Sequence, residues 1–546
     1  MQQVVGLRSA AAAAACASGA LLATRRSARC DANSNCTGSP FASTDKVHFT
    51  EREESQFIEV SQRRLADRLV DWNEPAYPRA LRTLRQAYRL DFSQLPELMS
   101  HFVSEARKGL AGETRRVSLP RFPFVTHLSH AMFRIAERDC LPVTRSSLAM
   151  IPTFVSSRVT GKERGDFFAL DLGGTNFRVL RLSLDGNQKV GDVKQSKFTI
   201  SEALKRGTGE ELFGFVADCV ARFLALECGG NPNGRLGFTF SFPVEQTAIN
   251  AGKKLGWSKG FTTSGVVGQD VVAMLQTQFE ERGINLRVMA LANDTVGTME
   301  AAAYAHPSTT MGIILGTGTN AAYIEQTSAV GKWRGKPSKE MVINTEWGNL
   351  NVATLMNEYD VALDAESTNP QRQTFEKMIS GMYMGELVRK SILSPAVAAG
   401  MSDGCAAAFA EAFDTQGSFK TAYMSACEAD DSPDLAAVGR LLSEAGVGTS
   451  TLRDRALLRE ACVCVSTRAA RLSAMATAAV LEMSAAPTDA TVAIDGSVFE
   501  CYPYFKERME AGLMAALGAE RASRINLVLA KDGSGIGAAI IAALDG

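Results

Sequence analysis

Twice in this chain an apolar run breaks at a cluster of Gly, Thr and Asn and then resumes: FFALDLGGTNFRVLRLSL from Phe167 to Leu184, and MGIILGTGTNAAYIE from Met311 to Glu325. β-rich runs on either side of a glycine turn read as hairpins, and their return after so long an interval points to two halves of a duplicated architecture. Between them, GRLGFTFSFPV (234–244) reads as a strand ending at Pro243, and VMALANDTVGTMEAAAYA (288–305) as a strand passing into an alanine-rich helix. Further strands are predicted at TVAID (491–495) and INLVLA (525–530), within a C-terminal third that is otherwise mostly helical. Alternating strands and helices predict α/β layers.

The chain has 546 residues, and at about 150 residues per domain it has room for three or four domains, or two large ones. Lys plus Arg number 58 and Asp plus Glu 59, a net charge of −1, so nonspecific nucleic-acid binding has no electrostatic support. Eleven cysteines are scattered from Cys16 to Cys501 without CxxC pairs, which argues for a reducing compartment and no disulfide framework. Cys462 and Cys464, a CxC within an apolar stretch, read as buried structural thiols, and His127 and His130 as packing residues. The first 50 residues differ from the rest. An alanine-rich run from Ser9 to Thr24 is followed by Arg25, Arg26 and Arg29 and then by a polar linker, so this segment reads as a membrane anchor, an organellar transit peptide or a secretory signal. If it inserts, the trailing positive charge holds the remainder of the chain on the cytosolic side. A helix is predicted from Glu51 to Leu69, and another helical pattern begins near Tyr77.

Convergent backbone N–H groups in a tight glycine turn cradle phosphate. Asp171, Gly173, Gly174, Thr175 and Asn176 form such a turn with a carboxylate added. An aspartate there would repel phosphate unless a divalent cation lay between them, which points to Mg²⁺ or its water shell. A plain hairpin turn would account for DxGGT alone. Three more loops argue against coincidence: Gly316-Thr317-Gly318, Asp495-Gly496-Ser497, and Gly533-Ser534-Gly535 with Gly537, the last entering a helix. Neither GxxxxGK[ST] nor GxGxxG occurs, so Walker and Rossmann sites are not supported. Elsewhere polar residues gather with few cations: Ser241, Ser258, Lys259, Asn293, Asp294, Asn320, Glu346 and Glu376. Amides and carboxylates suit a neutral polyhydroxyl ligand, whose hydroxyls both donate and accept. Asp294, between a strand and a helix, reads equally as a helix N-cap or a base.

Nine motifs then occur in order: DLGGTNFRV (171–179), FTFSFPV (238–244), WSKGF (257–261), LANDTVGTM (291–299), LGTGTNAAY (315–323), NTEWG (344–348), YMGELVR (383–389), IDGSV (494–498) and DGSGIGAA (532–539). With them the chain resembles a eukaryotic-type hexokinase of one catalytic unit, over roughly residues 50 to 546. The resemblance implies an α/β, two-lobed, actin-like (ribonuclease-H-like) ATPase fold with a cleft between the lobes. Residues 1–50 would be the anchor or targeting segment plus linker, 51–160 the first part of the large lobe, 161–294 the small lobe and 295–546 the remainder of the large lobe. It implies phosphorylation of the 6-hydroxyl of a hexose, glucose above all, by ATP with Mg²⁺. Asp294 would be the catalytic base, and Ser241, Ser258, Lys259, Asn293, Asp294, Asn320, Glu346 and Glu376 the sugar contacts. Gly173, Thr175, Thr317 and Ser497 would lie near the nucleotide, with Mg²⁺ arriving on ATP near Asp171 and without direct ligation by protein.

Four departures stand out from the family pattern. Ser258 replaces a usual Thr and keeps its hydroxyl; Asn349-Leu350 follows EWG in place of a small-aromatic pair; Met382 and Ile536 occupy positions often basic, which bears on nucleotide affinity. A sugar-sensing relative with little turnover is the alternative, but it would be marked by loss of the base or of the phosphate loops, and both are kept. An actin-like structural ATPase would lack the sugar-side motifs. The expected location is cytosol-facing at the mitochondrial outer membrane, or organellar if the leader is a transit peptide.

Overall fold

The computed structural model describes residues 69–70, 75–112, 146–173, 176–242, 244–257, 260–484 and 487–544. The N-terminal segment, the expected 51–69 helix but for its last residue, and His127 and His130 lie outside the described residues, as do Gly174, Thr175, Ser258 and Lys259. The helical pattern near Tyr77 is the helix Ala76–Ala87.

In chain order the strands are β1 (Ile151–Pro152), β2 (Arg164–Leu172), β3 (Asn176–Asp185), β4 (Val190–Thr199), β5 (Gly234–Phe240), β6 (Val244–Ala248), β7 (Ala251–Lys254), β8 (Leu286–Ala292), β9 (Thr309–Leu315), β10 (Thr319–Gln326), β11 (Glu340–Asn344), β12 (Ala490–Asp495) and β13 (Ile525–Leu529). They build two large sheets on one plan. In the first, of order β4-β3-β2-β5-β8, the first three strands are antiparallel and β5 and β8 continue in parallel. In the second, β11-β10-β9-β12-β13 repeats that order and those directions, with β1 added at the β11 edge. Both predicted hairpins are present, β2-β3 and β9-β10, and each sits at the middle of its sheet. A meander followed by two parallel strands is the ribonuclease-H-like plan, here doubled.

Local sequence explains the elements. Phe167 to Leu172 are all buried, as a strand covered on both faces requires, whereas β4 at the edge alternates between half-buried and exposed residues. β5 ends at Phe240, three residues short of Pro243, because the Phe242 N–H turns back to the Phe240 carbonyl at 2.8 Å. The β6-β7 hairpin stands apart from both sheets. The 32-residue helix Leu452–Met483, opened by a Thr451/Asp454 capping box, runs through the larger core. Cys462 and Cys464 lie on it as free thiols, and burial pushes both well above the usual thiol range, so they are structural.

The last helix, Gly533–Leu544, packs on β2 and β5 and along the helix Asp294–Ala305. Two glycines make this approach feasible. A Cβ on Gly237 would strike the Ala538 carbonyl, and one on Gly537 the Gly297 carbonyl. Thus a segment grouped by sequence with the second half packs on the first sheet. Among the described residues no helix is long and apolar enough to cross a membrane.

Candidate active site

The loops singled out by their glycines and polar residues leave the carboxyl ends of strands: Gly173 after β2, Ser241 after β5, Asn293 after β8, Gly316 after β9 and Gly496 after β12. Open α/β sheets bind their ligands at that edge.

On the sugar side, Asn293 caps the helix Asp294–Ala305. Its side-chain oxygen accepts from the Thr295 N–H at 3.0 Å and from Thr295 Oγ1 at 2.6 Å. Asp294 is therefore the first helical residue and not the cap. Its carboxylate stands at the positive end of the helix dipole, with Oδ1 accepting from the Thr295 N–H at 2.9 Å.

Asn320 Nδ2 lies 3.5 Å from Asn293 Oδ1 and donates to Asn344 Oδ1 at 2.8 Å and Glu346 Oε1 at 3.3 Å. Asn344 Nδ2 donates to the same Glu346 oxygen at 2.8 Å. Glu346 holds φ +52°, a left-handed backbone costing a non-glycine residue about 1 kcal/mol or more, and such strain persists where the surroundings over-determine it. Glu376 Oε2 accepts from the Thr319 N–H at 2.9 Å, and its Oε1 from Gln373 Nε2 at 3.1 Å.

The structure thus brings Asn293, Asp294, Asn320, Glu346 and Glu376 together. Ser241 joins from the turn after β5, the strand beside β8, with its N–H on the Leu172 carbonyl at 3.2 Å. Asn344 was missed as a site residue, although NTEWG contains it.

On the phosphate side, Asp171 is buried and accepts from Arg178 Nη2 at 2.5 Å and Ser534 Oγ at 2.8 Å. Arg178 also bonds Asp532. Sequence reasoning passed over Arg178, yet the hairpin register places it directly opposite Asp171. Asp495 stands nearby with its carboxyl pushed up to about 6, by burial first and by the Asp532 charge second, against the pull of Arg178.

Gly496 holds φ +125°, and a Cβ there would strike the Leu315 carbonyl; only glycine lets this loop lie back to back with the Gly316 turn. That turn is closed by the Gly316 N–H to the Gly318 carbonyl at 3.1 Å. It is buttressed by the Gly381 N–H on Gly316 O at 2.8 Å and the Met382 N–H on Thr317 O at 3.1 Å. The side chains of Thr317 and Ser497 are exposed, and Met382 is 62% exposed. Ile536 differs: it packs against the cluster formed by Phe167, Leu180 and Ala538.

Three carboxylates, Asp171, Asp495 and Asp532, surround one guanidinium. That excess of negative charge fits a divalent cation carried in with phosphate.

Two ribonuclease-H-like sheets, with glycine turns and an amide and carboxylate network at their strand ends, are the plan of a two-lobed actin-like ATPase. Family models described as hexokinase match residues 80–304 and 310–544, and the chain belongs to the hexokinase family. It is 43% identical over 415 residues to Hexokinase-1 of Spinacia oleracea, covering 73% of this chain and 83% of that protein. It is 42% identical over 416 residues to Hexokinase-1 of Arabidopsis thaliana, with the same coverage. A hexokinase from Schistosoma mansoni complexed with glucose superposes with a TM-score of 0.72 at 32% identity, covering 87% of this chain and all of that one.

Proposed function

We propose that this hexokinase transfers the γ-phosphoryl group of ATP to the 6-hydroxyl of a hexose, with glucose the foremost substrate. The observation that carries the reading is the placement of Asp294 at the start of its helix, directly after Asn293, whose side chain lies at the edge of the Asn320–Asn344–Glu346 network. The network supplies donors and acceptors that orient a sugar's hydroxyls. Asp294 takes the 6-hydroxyl proton as that oxygen attacks the γ-phosphorus. ATP would rest on the Gly316–Gly318 and Gly496–Ser497 loops, with backbone N–H groups facing its phosphates and Gly173 closing from the end of β2; Gly174, Thr175 and Asn176 are proposed as nucleotide contacts from the motif alone. Mg²⁺, when bound, supplies charge neutralisation at the phosphates, and Asp171, Asp495 and Asp532 are the carboxylates that would hold its water shell.

Water is a nucleophile much like a sugar hydroxyl. Closure of the two lobes on the sugar would exclude it and complete the site only when a hexose is present. The lobes proposed are 161–294 joined by the C-terminal helix, and the rest of the chain from residue 51. The Ser9–Thr24 segment is proposed as a tether to the outer mitochondrial surface, supported by the arginines directly after it. ADP release coupled to a reporter reaction, measured over a hexose panel, tests the activity. Turnover of ATP without dependence on any hexose would sink it.

A further inference from the structure

Behind the turn that carries Ser241 lies a cluster of aromatic rings. Phe242 stands edge-on to Trp257, with centroids 5.2 Å apart, and to Phe261 at 5.0 Å, and Trp257 stacks on Phe261 at 5.2 Å. The cluster joins two sugar-facing segments, since Phe242 follows Ser241 and Trp257 precedes Ser258 in sequence. A lysine is buried against it. Lys254, at the end of β7, is 1% exposed, and its Nζ lies 4.6 Å from the Trp257 ring centroid and 5.5 Å from that of Phe242. The same Nζ donates to the Gly256 carbonyl. The Lys254 backbone is fixed at both ends, its N–H on the Gln269 carbonyl at 3.0 Å and its carbonyl taking the Gly268 N–H at 2.8 Å.

A methionine would fill this space without the cost of desolvating an ammonium. What the ammonium adds is direction: a donor bond to the Gly256 carbonyl and attraction to two ring faces, which hold Phe242 and Trp257 in a single arrangement. We propose that Lys254 is a positioning residue for sugar binding, its ammonium clamping the aromatic anchors of the two sugar-facing segments.

The inference rests on the hexose reading of the site. Burial pushes the Lys254 amine down to about 8, so the clamp weakens as pH rises through that value. Among the described residues, the charged groups nearest it are Lys253 and Glu245 on its own hairpin, Asp270 bonded to the Gly252 N–H at 3.1 Å, and the Lys205–Glu202 pair, whose Lys205 lies 5.8 Å from the Phe261 centroid.

The test compares the wild-type chain with Lys254→Met and Lys254→Arg between pH 6.5 and 9.5. Hexose KM, ATP KM and kcat are measured, and hexose affinity is measured independently by tryptophan fluorescence. Wild-type hexose KM should rise about three- to tenfold across pH 8, the range two ring contacts allow. Lys254→Met should start at the high value at pH 7 and stay flat, with ATP KM unmoved and kcat lowered less than KM is raised. Lys254→Arg, charged throughout, should hold the low value to pH 9.5. An alkaline rise shared by wild type and Lys254→Met, or a Lys254→Met KM equal to wild type at pH 7, overturns the proposal. Absence of turnover on every hexose would instead fail the phosphorylation reading, and the fluorescence titration would still decide for Lys254.

Discussion

At the NDT segment Asn293 closes the helix and Asp294 is its first residue, and the proposed base role of Asp294 makes the two residues separable by substitution. Asp294→Asn should therefore leave Tm nearly unchanged and weaken hexose binding only modestly, while kcat falls about 10²- to 10⁴-fold. A folded variant keeping more than about a tenth of wild-type kcat would contradict the base assignment. Six residues along the same helix, Glu300 is fully buried near Arg158 and Glu163, and burial pushes its carboxyl up to about 8. Its folded pKa exceeds the unfolded one, so the stability it contributes is complete below about pH 4.5 and is lost as pH rises to about 8. Glu300→Gln should be as stable as wild type near pH 4 and increasingly more stable towards pH 8, read as Tm against pH; parallel Tm curves would refute this. At this scale the sequence announced the residues at the ends of strands where a glycine turn or a cluster of polar residues breaks an apolar run. It did not announce Asn344, the last residue of β11 with no glycine beside it, nor the Ser534–Asp171 bond, which spans 363 positions.

Among the elements, those whose hydrophobic pattern is complete within the segment were legible: β2, β9 and their hairpin partners. The β6-β7 hairpin was not, since VEQTA and AGKK carry little β signal and their pairing depends on tertiary contacts. Equally silent was the crossing of the helices Asp294–Ala305 and Gly533–Leu544, whose glycines look like one more loop until they are seen touching. Gly537→Ala places a methyl against the Gly297 carbonyl and should destabilise the protein by about 1–3 kcal/mol through overpacking. Calorimetry showing an unchanged Tm would mean that the helices separate freely. On the Gly316–Gly318 turn, Met382 projects outward where the family is often basic, while Ile536 is engaged in packing. Met382→Lys should lower ATP KM by about two- to fivefold at low ionic strength and leave hexose KM alone, the scale of one exposed charge contact. Restoring a cation at Ile536 should instead cost stability.

For the molecule as a whole, the doubling of one strand order over two sheets was readable from two similar hairpins, but the return of the C-terminus to the first sheet was not, because no periodicity encodes a partner so distant. The proposed tether predicts that the full chain sediments with membranes whereas a chain beginning at Lys46 stays in the supernatant, both turning over hexose alike. A mature N-terminus near residue 30 inside an organelle would select the transit-peptide reading. The placement of the last helix also sets an order of events during synthesis. β2 and β5 emerge from the ribosome early, yet the layer that covers one of their faces comes from Gly533–Leu544, which is translated long after them. Until that helix has been made, the apolar face must be shielded by something else, so the first sheet is the part of the nascent chain most in need of a chaperone, and a chain interrupted before Gly533 would leave that sheet uncovered.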